Sequence, residues 1–309
     1  MPLTKLSHVH GTSLEPLKFS TIGNAMEDAV EKWGDREAVV CRHQDIRWTF
    51  ARLNDAANEM AAGLLAIGFE PGDRVGIWSP NNIEWVITQF ATAKAGLILV
   101  NINPAYRVGE LEYALNKVEC AGIIIAERFK TSDYVELLGK LAPELEHSRP
   151  GELKATALPH LRTIICISPT PHEGMYRFTD VVSLGADTDR ARLIEISSRL
   201  QPDDPINIQF TSGTTGMPKG ATLTHFNIIN NAYFTGQAMQ FTEQDRLCIP
   251  VPLYHCFGMV MGVLTCITNG STMIFPDEAF DPASVLETIQ VEKCTALHGV
   301  PTMFIAELD

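Results

Sequence analysis

From residue 74 onward the chain alternates short apolar runs with longer helical ones. Residues 74–78 read as a strand, 83–95 as a helix, 97–102 as a strand, 108–118 as a helix, 122–126 as a strand and 134–141 as a helix. Such a rhythm predicts a parallel sheet with helices on its faces, an α/β class. Ahead of it, Ile22, Ala25, Met26, Ala29, Val30 and Trp33 fall on one helical face over residues 21–33, stopped at Gly34. Residues 37–41 and 46–48 predict a short hairpin, and Thr49 an N-cap for a helix through residue 67, with Gly68 as its stop. Residues 142–160 read as an exposed connection, 161–167 as a buried strand, 169–180 as a loop and 189–200 as a helix.

A weak internal repeat lies inside this alternation. D-R-V-G-I-W-S-P from Asp73 parallels D-R-L-C-I-P-V-P from Asp245. Each is followed by an apolar helix, then Ala95-Gly96 or Asn269-Gly270, then a strand over residues 97–100 or 271–274. The reading is two similar parallel-sheet subdomains, stacked and flanked by helices, with a site between them. The division is placed at residues 1–204 and 205–309.

Residues 211–220 read T-S-G-T-T-G-M-P-K-G: Thr211, Ser212, Gly213, Thr214, Thr215, Gly216, Met217, Pro218, Lys219 and Gly220. Hydroxyls and close-approaching backbone N–H groups in one concavity form an anion nest, and a lysine adds a mobile charge. The alternating run Ile206-Asn207-Ile208-Gln209-Phe210 leads in as a strand. This is not a Walker A loop, because Pro218 takes the second glycine slot and Gly220 follows the lysine. A flexible surface loop is the bland alternative; the crowding of hydroxyls and the Pro-Lys-Gly ending argue for a polyphosphate.

This stretch resembles the phosphate-binding signature of the adenylate-forming ligases, the family of acyl-CoA synthetases, firefly-type luciferases and peptide-synthetase adenylation domains. A-T-L-T-H-F-N from Ala221 continues the pattern, P-L-Y-H-C-F-G from Pro252 is similar to a second signature, and G-V-P-T-M from Gly299 to a third. The resemblance runs from about residue 20 onward and is nearest to medium-chain fatty-acyl-CoA ligases. It implies an incomplete N-terminal domain, with ATP, Mg2+, a fatty acid and coenzyme A as ligands. Thr211 through Lys219 would hold the β- and γ-phosphates, with Thr211 helping to seat magnesium. His255, Gly299, Val300 and Pro301 would edge the acyl pocket, while Met259, Val260 and Gly262 read better as core. The family's adenine, ribose and catalytic-lysine segments are expected beyond residue 309, so no catalytic residue is assigned within the chain. The chain looks cut mid-domain and is expected to be inactive alone. The alternatives are a carrier-protein adenylation domain and a non-catalytic nucleotide- or acyl-binding remnant; the oligomeric state does not follow from these residues.

Composition narrows the partners. A net charge of −13 over 309 residues, without a basic patch, argues against nucleic acid and anionic membranes. Seven cysteines with no C-x-x-C read as reduced core thiols, not a zinc or redox site. No apolar run is long enough to span a bilayer, and residues 1–10 lack the apolar stretch of a secretory signal. A cytoplasmic protein is the expectation.

Overall fold

The structure, a computed structural model, describes residues 14–188, 190–211 and 217–309. Residues 1–10, considered above for targeting, lie outside them, as do Asp189 and Ser212, Gly213, Thr214, Thr215 and Gly216 of the candidate loop. The first half carries strands β1 (Glu37–Cys41), β2 (Ile46–Thr49), β3 (Arg74–Trp78), β4 (Ile98–Asn101) and β5 (Gly122–Ala126). A small hairpin, β6 (Arg128–Phe129) and β7 (Ser132–Asp133), precedes β8 (Thr163–Ile167) and β9 (Tyr176–Arg177). Then come β10 (Pro205–Thr211), β11 (Lys219–Thr224), β12 (Arg246–Cys248), β13 (Thr272–Phe275) and β14 (Ala296–Leu297). The helices are α1 (Ile22–Trp33), α2 (Phe50–Ala66), α3 (Ile83–Lys94), α4 (Val108–Lys117), α5 (Tyr134–Leu141) and α6 (Phe178–Asp187). After them follow α7 (Ala191–Arg199), α8 (His225–Ala238), a π-helix over Phe257–Leu264 that runs into α9 (Thr265–Asn269), α10 (Pro282–Glu292) and α11 (Pro301–Leu308).

Two mixed sheets result. The larger has the order β11-β10-β4-β3-β5-β8-β9 and is parallel apart from the β10–β11 pair. The smaller has the order β14-β12-β13-β1-β2 and is parallel apart from the β1–β2 hairpin. Period-two alternation assigns each face its core. In β3, Val75 and Ile77 join the cluster shared with α1, α2, α3 and the smaller sheet, while Trp78 joins the cluster under α4 and α5. In β1, Val39 and Cys41 point into the shared cluster, which makes α2 and α3 a layer sandwiched between sheets.

The expected division at residue 204 does not coincide with the division between sheets. Strands β1 and β2, early in the chain, complete the smaller sheet, and β10 and β11 complete the larger one. An unpaired sheet edge recruits whatever strand reaches it. Thus β13 takes β1 in register Val39↔Met273, and β4 takes β10 in register Asn207↔Leu99.

The internal repeat is present in three dimensions. Strands β3 and β4 are parallel neighbours, as are β12 and β13. Ile98 N–H donates to the Asp73 carbonyl at 2.9 Å, and Thr272 N–H donates to the Asp245 carbonyl at 3.0 Å. Gly96 (φ 70°) and Gly270 (φ 74°) both turn the chain through the left-handed region that a side chain resists. The second copy departs in its helix, whose π winding widens the turn.

Two loops read from the sequence are more structured than expected. Within residues 169–180 lie β9 and the start of α6. Helix α6 crosses α2 at close range, and a Cβ at Gly63 would strike the Val181 carbonyl and one at Gly185 the Glu59 carbonyl. Residues 142–160 contribute the buried Leu145, Leu153, Ala155 and Leu158; these anchor singly, without the periodicity that marks an element. Among the described residues no helix is long and apolar enough to cross a membrane.

A closed ring of four charges ties β1, β2, β12 and α10. Arg47 bridges Glu37 at 2.7 Å and Glu292 at 2.8 Å, and Arg246 bridges the same two carboxylates at 2.7 and 3.0 Å. Burial pushes the Glu292 carboxyl up, but the Arg47 hydrogen bond and both guanidinium charges outweigh it and its pKa is lowered. Glu292→Ala leaves the two guanidiniums sharing Glu37 alone. Because Arg47 is half-exposed, we expect a loss of about 3 kcal/mol in urea unfolding, the low end for breaking a buried pair. Removing the exposed Lys140–Glu136 pair should cost less than about 1 kcal/mol; equal losses would contradict the assignment.

Candidate functional site

Both sheets present the carboxyl ends of parallel strands, the edge at which open α/β sheets bind ligands. Strand β10 ends at Thr211 and β11 returns at Lys219, the two forming a cross-strand pair. The described ends of the candidate loop therefore stand side by side on an edge hairpin at the carboxyl edge of the larger sheet. Thr211 and Lys219 are both exposed, and Lys219 makes no ion pair with any described residue. The Thr211 hydroxyl donates only a long bond, 3.5 Å, to the Lys219 carbonyl, and an exposed cation beside an exposed hydroxyl suits a polyphosphate. Met217 is half-exposed, and the Pro218 carbonyl accepts a hydrogen bond from the Tyr113 hydroxyl of α4 at 3.0 Å. Tyr113 thus fixes the chain one residue before Lys219.

A buried amide ladder runs from the hairpin toward the P-L-Y-H-C-F-G segment. Gln209 Nε2 donates to Asn207 Oδ1 at 2.7 Å, and Asn207 Nδ2 donates to Asn101 Oδ1 at 2.9 Å. Asn101 Nδ2 then donates to the Tyr254 carbonyl at 2.9 Å, immediately before His255. Met259 Sδ accepts from Asn101 at 3.2 Å and from Gln209 at 3.0 Å. From the other side Asn81 clamps the same segment: its Nδ2 donates to the Val251 carbonyl at 3.0 Å and its Oδ1 accepts from Leu253 N–H at 2.8 Å. Asn207, Gln209 and Thr211 alternate along one face of β10, so this face carries the ladder and then the loop. That period-two row of polar residues was the signal available in the sequence. The buried Asn81 and Asn101 had none beyond standing at strand ends.

His255 is exposed, and its Nδ1 accepts from Phe257 N–H at 3.2 Å, so Nε2 faces outward. Its carbonyl accepts from Gly258 and Met259 at the start of the π-helix. Met259, Val260 and Gly262 are buried core, as expected. Gly299, Val300 and Pro301 follow β14 and come close to the His255 segment through His298. The His298 ring lies 4.9 Å from that of Phe257, and its Nε2 is 3.0 Å from the Met261 carbonyl. The second and third signatures therefore meet at the carboxyl edge of the smaller sheet. Between the two carboxyl edges opens a cavity of about 350 Å3, lined by Asn81, Asn103, Lys130, Pro252, Tyr254 and Glu278 among others. Trp78 and Tyr134, stacked at 3.8 Å, hold one wall by donating to the Asn103 and Pro104 carbonyls. Among the described residues no cluster of His, Cys, Asp and Glu could hold a metal ion, and all seven cysteines are free.

His225, inside the continued first signature, serves structure. Its Nδ1 accepts from Ile22 N–H, in the first turn of α1, at 3.1 Å, and it is buried. Burial lowers its pKa to about 4. The stability supplied by the neutral ring is present above the unfolded pKa near 6.5 and is lost as pH falls toward 4, worth about 3 kcal/mol. His225→Asn, which can keep an acceptor near the Nδ1 position, should flatten the unfolding free energy between these pH values in chemical denaturation series. An unchanged slope would contradict this role. Asn81→Ala strands two buried backbone groups and should cost about 2–3 kcal/mol in the same measurement; a loss below about 0.5 kcal/mol would show that the clamp is not needed.

With this geometry in view, comparisons with known proteins converge. The sequence profile of the AMP-binding enzyme family matches residues 26–309. The chain is 46% identical over 307 residues to the medium-chain acyl-CoA ligase ACSF2, mitochondrial, of Danio rerio, covering 99% of this chain and 50% of that protein. The anthranilate CoA ligase AuaEII, solved in complex with anthranoyl-AMP, shares the fold with a TM-score of 0.80 at 24% identity over 94% of this chain and 52% of its own. ATP-bound MatB from Rhodopseudomonas palustris superposes with a TM-score of 0.72 at 24% identity over 93% of this chain and 51% of its own. The chain spans about half the length of the curated relatives it matches. Its mixed α/β fold is that of the N-terminal domains of adenylate-forming ligases, and the chain belongs to the AMP-binding enzyme family, among its acyl-CoA synthetases.

Proposed function

We propose that this chain supplies the phosphate-holding and part of the acyl-binding machinery of an ATP-dependent fatty-acid–CoA ligase acting on medium-chain acids. The observation that carries the reading is the pairing of Thr211 with Lys219, the described ends of the T-S-G-T-T-G-M-P-K-G stretch, at the carboxyl edge of the larger sheet. In the reaction a carboxylate oxygen attacks the α-phosphorus of ATP. The P–O bond to the β-phosphate breaks, leaving an acyl-adenylate and pyrophosphate. The sulfur of coenzyme A then attacks the acyl carbonyl, the bond to AMP breaks, and the thiol proton leaves with the released products. Phosphoryl chemistry of this kind rests on positioning and charge neutralisation.

The chain's own residues would divide the work as follows. Lys219 offsets charge on the leaving pyrophosphate, and the hydroxyls and N–H groups of residues 211–216 hold its oxygens. Thr211, at the mouth of the hairpin, would help to seat Mg2+, which would supply neutralisation of phosphate charge. His255 and the segment Gly299, Val300 and Pro301 border the acid, His255 as a wall and orienting group. The cavity between the carboxyl edges, with Tyr254 on its rim, gives the organic part of a substrate a place out of water. The similarity to medium-chain acyl-CoA ligases supports coenzyme A as the thiol; a carrier-protein thiol is the competing acceptor.

ATP–pyrophosphate exchange, measured with acids from acetate to palmitate, tests the reading. The full-length protein should exchange best with medium-chain acids, and Lys219→Ala should lower the rate by at least about 10²-fold, the scale of a lost transition-state charge partner. The 309-residue polypeptide alone should show negligible exchange. No exchange in the full-length protein while ATP binds would overturn the ligase reading and leave a nucleotide-binding remnant.

A further inference from the structure

A further cavity lies away from the carboxyl edges. It has a volume of about 470 Å3 and is walled by α1, α2, α3 and α7, with Glu27, Asn58, Lys94, Arg190, Leu193 and Ser197 among its lining residues. Lys94 ends α3, four residues before β4 begins, and Leu200, also in the wall, stands five residues before β10. The cavity is therefore at the amino edge of the larger sheet. Thr211 ends β10 at the opposite edge, about 20 Å away for a seven-residue strand.

The charges in this cavity are unbalanced. The Lys94 side chain is 4% exposed and reaches Glu27, its one ion-pair partner among the described residues. Burial lowers the Lys94 pKa, and the Arg190 charge adds to the same direction against the pull of Glu27. Arg190 faces the same space, is half-buried and has no ion pair among the described residues. The cavity lining thus holds two cations and one carboxylate, with the Asp55 charge also acting on Lys94, in a protein whose net charge is −13. The Glu27 side chain is itself 53% exposed, so it can swing out and surrender its place. Asn58 and Ser197 add hydrogen-bonding groups, while Leu193, Ile194 and Leu200 make an apolar wall on the α7 side. A concave pocket that joins convergent polar and charged groups to an apolar wall has the elements of a small-molecule site.

We propose that this cavity is a second binding site, separate from the phosphate loop, for a small carboxylate with a short apolar body. The carboxylate pairs with Arg190 and competes with Glu27 for Lys94, and the apolar body lies on Leu193, Ile194 and Leu200. Inorganic phosphate satisfies the cations but leaves the apolar wall wet, so it binds more weakly. Helix α7 buries only Leu193 of its own residues and leads directly into β10. A ligand seated under it therefore steadies the strand that ends at the phosphate loop.

Isothermal titration of the protein with sodium octanoate, inorganic phosphate and sodium chloride at matched ionic strength tests this. Octanoate should bind saturably. Arg190→Gln should weaken it about tenfold by removing a charge-assisted pair, and Glu27→Gln should tighten it several-fold by removing the internal competitor. Both substitutions are at partly exposed side chains, and circular dichroism confirms that each variant folds. The opposite signs are the signature, since a general loss of structure would weaken binding in both. Octanoate heat that survives Arg190→Gln but falls with His255→Ala belongs to the acyl wall at the other edge and overturns the second site, leaving the ligase reading intact. Phosphate binding as tightly as octanoate would contradict the apolar half of the assignment.

Discussion

The arrangement of the site depends on buried amides that leave little polar surface unpaired. Asn207, Asn101 and Gln209 sit in a low-dielectric interior where each unmet hydrogen bond costs roughly 1–3 kcal/mol. Their partners are the carbonyl of Tyr254, in the P-L-Y-H-C-F-G segment at the other sheet, and the sulfur of Met259, which directly follows it. Asn81 closes the same segment from the end of β3. Apolar packing could slide by a fraction of an ångström at small cost; these directional bonds cannot. They register the carboxyl edge of one sheet against that of the other, and so set where His255 stands relative to the hairpin that carries Lys219.

Charge follows the same logic of placement. The protein is acidic overall, yet its cations are spent in particular places. Arg47 and Arg246 close a ring with Glu37 and Glu292 that fastens the early hairpin to the smaller sheet. Among the described residues Lys219 has no carboxylate partner at the β10–β11 hairpin. Lys94, paired with Glu27, and Arg190 line one cavity at the far edge. The first arrangement is saturated and structural. The other two carry positive charge that the described fold does not cancel, and each stands beside a concavity or turn able to receive an anion.

Much of this was legible in the sequence for physical reasons. Strands β3, β4 and β5 and helices α3, α4 and α5 announced themselves by local periodicity, and the repeat by its paired glycines, Gly96 and Gly270. The strand over residues 206–210 and the turn after it were read from alternation and from crowded hydroxyls. Sheet membership was not legible, because β1's choice of β13 as neighbour is settled by contacts more than 200 residues apart. Helix α6 escaped because its contact with α2 works through absent side chains, at Gly63 and Gly185. His225 showed only as a letter of the motif; its burial and its bond to Ile22 follow from where α1 docks. Around the candidate site, the first signature showed in the sequence through its crowded hydroxyls, whereas Asn81, Asn101 and Tyr113 were missed because single polar residues carry no pattern until the fold gathers them.

Hydrogen–deuterium exchange of the intact protein, with and without Mg-ATP, tests most directly that the β10–β11 hairpin is the nucleotide-phosphate clamp. The account predicts slowed exchange across residues 211–220, with no slowing in the same residues of Lys219→Ala under identical conditions. Saturating ATP that leaves residues 211–220 unprotected, and protects another segment instead, would contradict it.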